Sequence, residues 1–193
     1  MKRVFENSDQ TAFIDKCVFS NHALLEQCVL EVEPMLEERP EIIVFDKICK
    51  QQRFVGFFSD KSIGYKYSNR LMASKPLSSN MTELLLTINE MLGTEFNGML
   101  VNKYVNGNDY IGAHSDSEIG VDDKGVVALS YGAERIFRIR SKKDKKIVHE
   151  EPTTNGSLMH MGGIFQKIYT HEIPVQKKIK NARISITFRK HVK

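Results

Sequence analysis

The sequence contains no tryptophan, only five prolines in 193 residues and only three cysteines. It also has no long apolar run: the longest pieces, such as Ile42 to Phe45 and Val126 to Leu129, have the length of a strand. A membrane helix needs ~20 apolar residues in succession, so no membrane role is expected. Cys17, Cys28 and Cys49 form an odd set without a C-x-x-C spacing, which argues against a disulfide framework or a zinc ribbon and predicts reduced packing thiols. The opening MKRVFENSDQ has two basic residues and no apolar stretch behind them, as expected for a soluble intracellular protein of cytoplasm or nucleus. What remains, 41% hydrophobic and 27% charged residues with 12 glycines, is the composition of a globular chain of roughly one domain.

Acid is missing from one end. Between Glu26 and Asp46 seven acidic residues face the single base Arg39, whereas beyond Glu172 there is none. That last stretch carries Lys177, Lys178, Lys180, Arg183, Arg189, Lys190 and Lys193, and a second basic cluster runs from Arg138 to Lys146. Such clusters fit a polyanion as well as plain solubility, and the net charge of +4 does not decide between them.

Hydrophobic spacing predicts a helical N-terminal part followed by strands. Ala23, Leu24, Cys28, Val29, Val32 and Leu36 recur at helical intervals after Ser20 and Asn21, with Pro34 near the end. A second helix is predicted from Asn80, with Glu83 completing a capping box, an apolar face through Leu84, Leu85, Ile88, Met91 and Leu92, and Gly93 as its stop. Strands are predicted at residues 42–45, 53–58, 65–67, 99–105, 126–131, 135–140, 146–149, 156–161 and 183–189, a count that suggests a sandwich or jelly roll. The last strand alternates Arg183, Ser185, Thr187 and Arg189 with Ile184, Ile186 and Phe188. Its polar face is either the solvent side of a sheet or a polar pocket inside a barrel.

His114-Ser115-Asp116 places an imidazole and a carboxylate two residues apart, on one side of an extended segment, where both can ligate one metal. A third ligand must come from His149, His160 or His171. Two histidines and one carboxylate leave open positions on an octahedral metal, the arrangement of non-haem Fe(II) oxygenases. A carboxylate co-substrate would in turn want an arginine fork.

Asn102-x-Tyr104, His114-x-Asp116, His171 and Arg183-x-Ser185-x-Thr187-x-Arg189 together closely resemble the AlkB family of Fe(II)/2-oxoglutarate dioxygenases. The likeness is specific over residues 96 to 190 and weaker upstream, through Val44-Phe45, Arg53 to Asp60 and Tyr65-Lys66-Tyr67-Ser68. It implies a mainly β fold with flanking helices. The core would be a double-stranded β-helix, or jelly roll, in a single domain, with residues 1–95 supplying helices and a nucleotide-recognition segment and 96–193 the catalytic core.

The resemblance further implies iron on His114, Asp116 and His171, and a 2-oxoglutarate pocket formed by Asn102, Tyr104, Arg183, Thr187 and Arg189. It implies a monomer that uses Fe(II), 2-oxoglutarate and O2 to remove N-alkyl groups from DNA or RNA bases, releasing formaldehyde, succinate and CO2. Arg53, Phe58, Tyr65, Tyr67 and Ser68 would then recognise the nucleotide, and Val44-Phe45 would be a wedge entering the gap left by a flipped base. Members that repair bases commonly carry a second acid directly after His-x-Asp; here Ser117 stands there, with Glu118 next, and the departure bears on base preference. A hydroxylase of a protein or small molecule would use the same metal and co-substrate residues.

Overall fold

Layering follows from which faces of the strands are apolar. The computed structural model describes residues 1–44, 46–62, 64–67, 70–116 and 125–191. In chain order its first half comprises β1 (Lys2–Glu6), β2 (Ala12–Val18), α1 (His22–Val32), β3 (Glu41–Val44), β4 (Lys47–Lys50), β5 (Phe54–Phe58), β6 (Gly64–Tyr67), β7 (Arg70–Ala73) and α2 (Ser79–Leu92). The second half comprises β8 (Gly98–Tyr104), β9 (Ile111–His114), β10 (Val126–Gly132), β11 (Arg135–Ser141), β12 (Ile147–Thr153), β13 (Ser157–Gly163), α3 (Phe165–Ile168), β14 (Tyr169–Ile173) and β15 (Arg183–Arg189).

A seven-stranded sheet in the order β1-β2-β13-β10-β15-β8-β5 faces a four-stranded sheet in the order β12-β11-β14-β9. Every strand pair within them is antiparallel. One core lies between the large sheet and the helices: Leu24, Leu25, Cys28, Val29 and Val32 of α1 and Met81, Leu84, Leu85 and Ile88 of α2 meet Met99, Val101, Val127, Leu129, Ile184, Ile186 and Phe188. A second lies between the sheets and includes Ile14, Tyr104, Phe137, Ile139, Met159 and Ile173. Removing a buried phenylalanine such as Phe188 from such packing costs roughly 3–5 kcal/mol.

β15 is the wall shared by both compartments. All seven of its residues are buried, Ile184, Ile186 and Phe188 toward the helices and Arg183, Ser185, Thr187 and Arg189 toward the space between the sheets. The polar face is therefore the lining of an internal pocket, not a solvent side.

Several expectations are corrected. The N-terminal part begins with two strands, β1 and β2, because β2 pairs along its whole length with β13. Together with β5 they place three strands of the first 95 residues in the large sheet, so the sheet does not divide at residue 95. The cap of α2 is Ser78, whose hydroxyl accepts from Met81 N–H, two residues before the predicted Asn80; Gly93 ends the helix at φ +63, a conformation glycine adopts without strain. Met91 is 45% exposed and leaves the apolar face. Cys28 packs in the core, but Cys49 is exposed on β4. No helix among the described residues is long and apolar enough to cross a membrane.

Candidate active site

Strand pairing places two of the three expected metal ligands. His114 ends β9 directly opposite His171 of β14, with ring centroids 4.4 Å apart. Asp116 lies two residues beyond the ladder, its carboxylate 3.9 Å from His114 Nε2 and 3.5 Å from His171 Nε2. One ligand atom from each of the three falls within 4.8 Å of the others. His160, on β13, instead packs edge-on against Phe13, and His149 pairs with Glu151 on the outer strand β12.

Each ligand is prepared by its surroundings. Gly112 carbonyl lies 2.9 Å from His114 Nδ1 and accepts a hydrogen bond from Nδ1–H, leaving the Nε2 lone pair toward Asp116. The His171 ring stacks on Phe137 at 5.0 Å and 17°. Burial lowers the pKa of His114. Burial, then the proximity of His114, pushes that of His171 down to about 3. Burial alone would raise Asp116, but Arg189, His171 and His114 outweigh it and hold the carboxyl well below its usual range. Two neutral imidazoles and one anionic carboxylate are the protonation states a divalent cation requires, so the residues fit Fe(II).

Next to this cluster, alternation along β8 turns Leu100, Asn102 and Tyr104 into the pocket that the polar face of β15 lines from the other side. Arg53 Nε donates to Asn102 Oδ1 at 2.7 Å, which places both at the pocket wall. Arg189 bridges: Nη2 donates to Asp116 Oδ1 at 3.1 Å and Nη1 to the Tyr65 hydroxyl at 3.3 Å. Arg183 Nη2 donates to Ser130 Oγ at 2.8 Å, while its Nε and Nη1 are buried with no hydrogen-bond partner. Its guanidinium and that of Arg135 lie 5.5 and 5.6 Å from the Tyr104 ring centroid. A buried cation with two unsatisfied donors, beside Ser185 and Thr187, fits the carboxylate of 2-oxoglutarate.

The nucleotide-recognition expectations divide. Tyr65 lines the pocket but is buried, its ring stacked on Phe57 at 5.7 Å with the Arg189 guanidinium 5.0 Å from its centroid. Phe58 is fully buried in the core against the helices and does not line the pocket, a correction explained by alternation: Phe57 and Phe58 must point to opposite faces of β5. Tyr67 belongs to β6 and Val44 to β3, with side chains outside the described residues, as are Phe45, Ser68 and Ser117. The β3–β4 hairpin itself stands apart from both large sheets, with Ile43 46% and Ile48 73% exposed.

Basic residues also sort differently from their order in sequence. Arg183 and Arg189 are buried in the pocket, and Arg138 and Arg140 pair with Glu172, Arg138 also with Glu150. Lys142 Nζ donates to the Gln166 carbonyl. This leaves Lys143, Lys145 and Lys146 as the exposed part of the hairpin cluster. Sequence reasoning passed over Leu100, Ile111, Ala128, Phe137, Met161 and Ile173 as pocket lining. The alternation that placed Asn102 and Tyr104 together gives Leu100 as well; the others are ordinary apolar strand residues whose facing becomes defined only by sheet packing.

A jelly roll that gathers a His-x-Asp…His cluster and a buried arginine between its sheets is the build of an oxygenase of this type, and the family model described as the 2OG-Fe(II) oxygenase superfamily matches residues 15–189. DNA oxidative demethylase ALKBH2 of Mus musculus is 30% identical over 168 residues, covering 83% of this chain and 70% of that protein. ALKBH2 of Homo sapiens is 29% identical over 168 residues, and the match spans 64% of that longer protein. The solved structure of OsALKBH1 superposes with a TM-score of 0.59 at 13% identity, covering 92% of this chain and 97% of the other, which supports the fold. The chain belongs to the AlkB family of Fe(II)/2-oxoglutarate dioxygenases.

Proposed function

We propose that this dioxygenase removes N-alkyl groups from bases of DNA or RNA, acting as an intracellular monomer. The observation that carries the reading is the geometry of half-buried His114 with buried Asp116 and His171, one ligand atom from each within 4.8 Å of the others, in a pocket that Arg183 also lines. The names of the relatives, DNA oxidative demethylases, favour a nucleic-acid substrate over a protein or small molecule.

His114, Asp116 and His171 hold the metal. Iron with 2-oxoglutarate and dioxygen supplies the oxidation of an N-alkyl carbon, with succinate, CO2 and, from a methyl group, formaldehyde as products. The chain's residues bind and orient. Arg189 is already engaged by Asp116 and Tyr65, so its part is to fix the carboxylate ligand and border the metal. Arg183, with donors to spare, takes a carboxylate of 2-oxoglutarate, with Tyr104 and Thr187 beside it and Asn102, set by Arg53, on the neighbouring wall. A base inside a duplex cannot reach this depth, so it must be flipped or come from a single strand, and Tyr65, whose ring already packs on Phe57 and Arg189, shapes the wall that receives it. Ser117 in place of a second acid would shift the base preference.

Formaldehyde and succinate should be assayed side by side on methylated single-stranded DNA, duplex DNA and RNA. Stoichiometric release of both from at least one polynucleotide is expected. Succinate formation that no methylated polynucleotide stimulates, with hydroxylation of a protein or small molecule instead, would overturn the choice of substrate.

A further inference from the structure

His114 and His171 are fixed by the β9–β14 ladder, but Asp116 lies beyond its end and needs another anchor. Its side chain meets Arg189. Its backbone N–H donates to Gln166 Oε1 at 2.9 Å. Gln166 is itself pinned: its Nε2 donates to Met161 Sδ at 3.5 Å, and its carbonyl accepts from Lys142 Nζ at 2.7 Å. One residue earlier in the loop, Ser115 Oγ donates to the Tyr169 carbonyl at 3.0 Å. The segment around the carboxylate ligand is thus tied twice to the stretch 166–169 that leads into the strand carrying His171.

Resting on the iron site described above, we propose that Gln166 is the positioning residue for Asp116, the side chain that completes the metal site where strand pairing stops. The amide oxygen fixes the backbone from which the carboxylate projects, so the two histidines and the carboxylate keep one spacing without a metal to organise them. Ser115 supports the same segment through a weaker, single hydroxyl contact. Loss of an outer partner of a ligand commonly weakens metal affinity 10- to 100-fold.

The test is Mn(II) titration of the full chain without 2-oxoglutarate, read by the electron paramagnetic resonance signal of free Mn(II), with melting temperatures taken metal-free. Gln166→Met keeps the length of the side chain and removes the acceptor; Gln166→Glu keeps the acceptor. Gln166→Met should bind Mn(II) ~10- to 100-fold more weakly, while Gln166→Glu stays within a few-fold of the parent. Ser115→Ala, which leaves the Gln166 contacts in place, should weaken binding by a smaller factor and serves if Gln166→Met melts early. Parental Mn(II) affinity in Gln166→Met would overturn the positioning role alone, and so would equal losses in Gln166→Met and Gln166→Glu. Failure of the parent protein to bind Mn(II) would instead overturn the metal site itself.

Discussion

Replacing Arg183 by methionine should have opposite effects on the free protein and on its complex with 2-oxoglutarate. The side chain is 2% exposed, and burial is the main reason its pKa is pushed down to about 10; Tyr104 opposes the shift and Arg135 adds to it. Against the ordinary 12.5, that difference corresponds to roughly 3 kcal/mol acting against the charged form in the fold. Methionine removes this penalty and keeps most of the volume, at the cost of the contact with Tyr104 and of the charge-assisted bond to Ser130, worth about 1.5–3 kcal/mol. The free variant should therefore melt at or slightly above the parent temperature.

With co-substrate present the order reverses. A ligand at 100 times its Kd stabilises by ~2.7 kcal/mol, which for a chain of this size raises Tm by ~5–10 °C. Truncating one partner of a buried charge pair costs ~2–5 kcal/mol, enough to weaken 2-oxoglutarate binding about 30-fold or more and to remove most of that rise. Scanning calorimetry with Mn(II) and graded 2-oxoglutarate, without oxygen turnover, measures both effects. An unchanged 2-oxoglutarate shift in Arg183→Met, or a collapse of the free variant with co-substrate affinity intact, would refute the reasoning.

Asp116→Ala should lose Mn(II) binding and all turnover, since two imidazoles lack the anionic ligand; full activity with stoichiometric iron would refute the site. Affinity for methylated oligonucleotides should fall steeply with salt, and neutralising Lys143, Lys145 and Lys146 should flatten the slope by up to about three phosphates' worth in a plot of log affinity against log salt. Phe45→Ala should lose activity on duplex DNA and keep it on single strands with Tm nearly constant, because strands β3 and β4, which precede and follow it in sequence, pair apart from the two larger sheets; equal loss on both substrates with a large fall in Tm would mean that Phe45 is core. The pKa of His191, packed against Phe57 and Tyr65, is lowered to about 4 by burial and then by Arg189. The unfolded chain takes up this proton near pH 6.5, so stability present above pH 6.5 is lost as pH falls toward 4. His191→Phe should flatten this acid limb of Tm against pH, and an unchanged limb would count against it.

Legibility in the sequence followed the strength of the local pattern. β15 could be read to the residue because its alternation of charged or hydroxylic with apolar side chains is strict. His114-x-Asp116 could be read as a ligand pair, but β9 could not be read as a strand: Gly112 and Ala113 have little β preference, and the segment is extended because β14 pairs with it. The same holds for β1 and β2, whose sequences lack a clean period and whose conformation comes from pairing, β2 with β13 and β1 with β2. The misplaced cap of α2 reflects a choice among Ser78, Ser79 and Asn80, all competent, which only the approach of the chain decides. The contact of Gln166 with Asp116 joins residues 50 positions apart, and no local signal carries that.

The complete burial of β15 has a consequence for how this protein can change over time. On most strands one face meets water and absorbs substitutions at little cost. Here every second residue is bound by volume against the helices and every other one by charge and hydrogen bonding in the pocket. Seven consecutive positions therefore offer no place for neutral drift, and two unrelated kinds of selection act on alternate letters of one word.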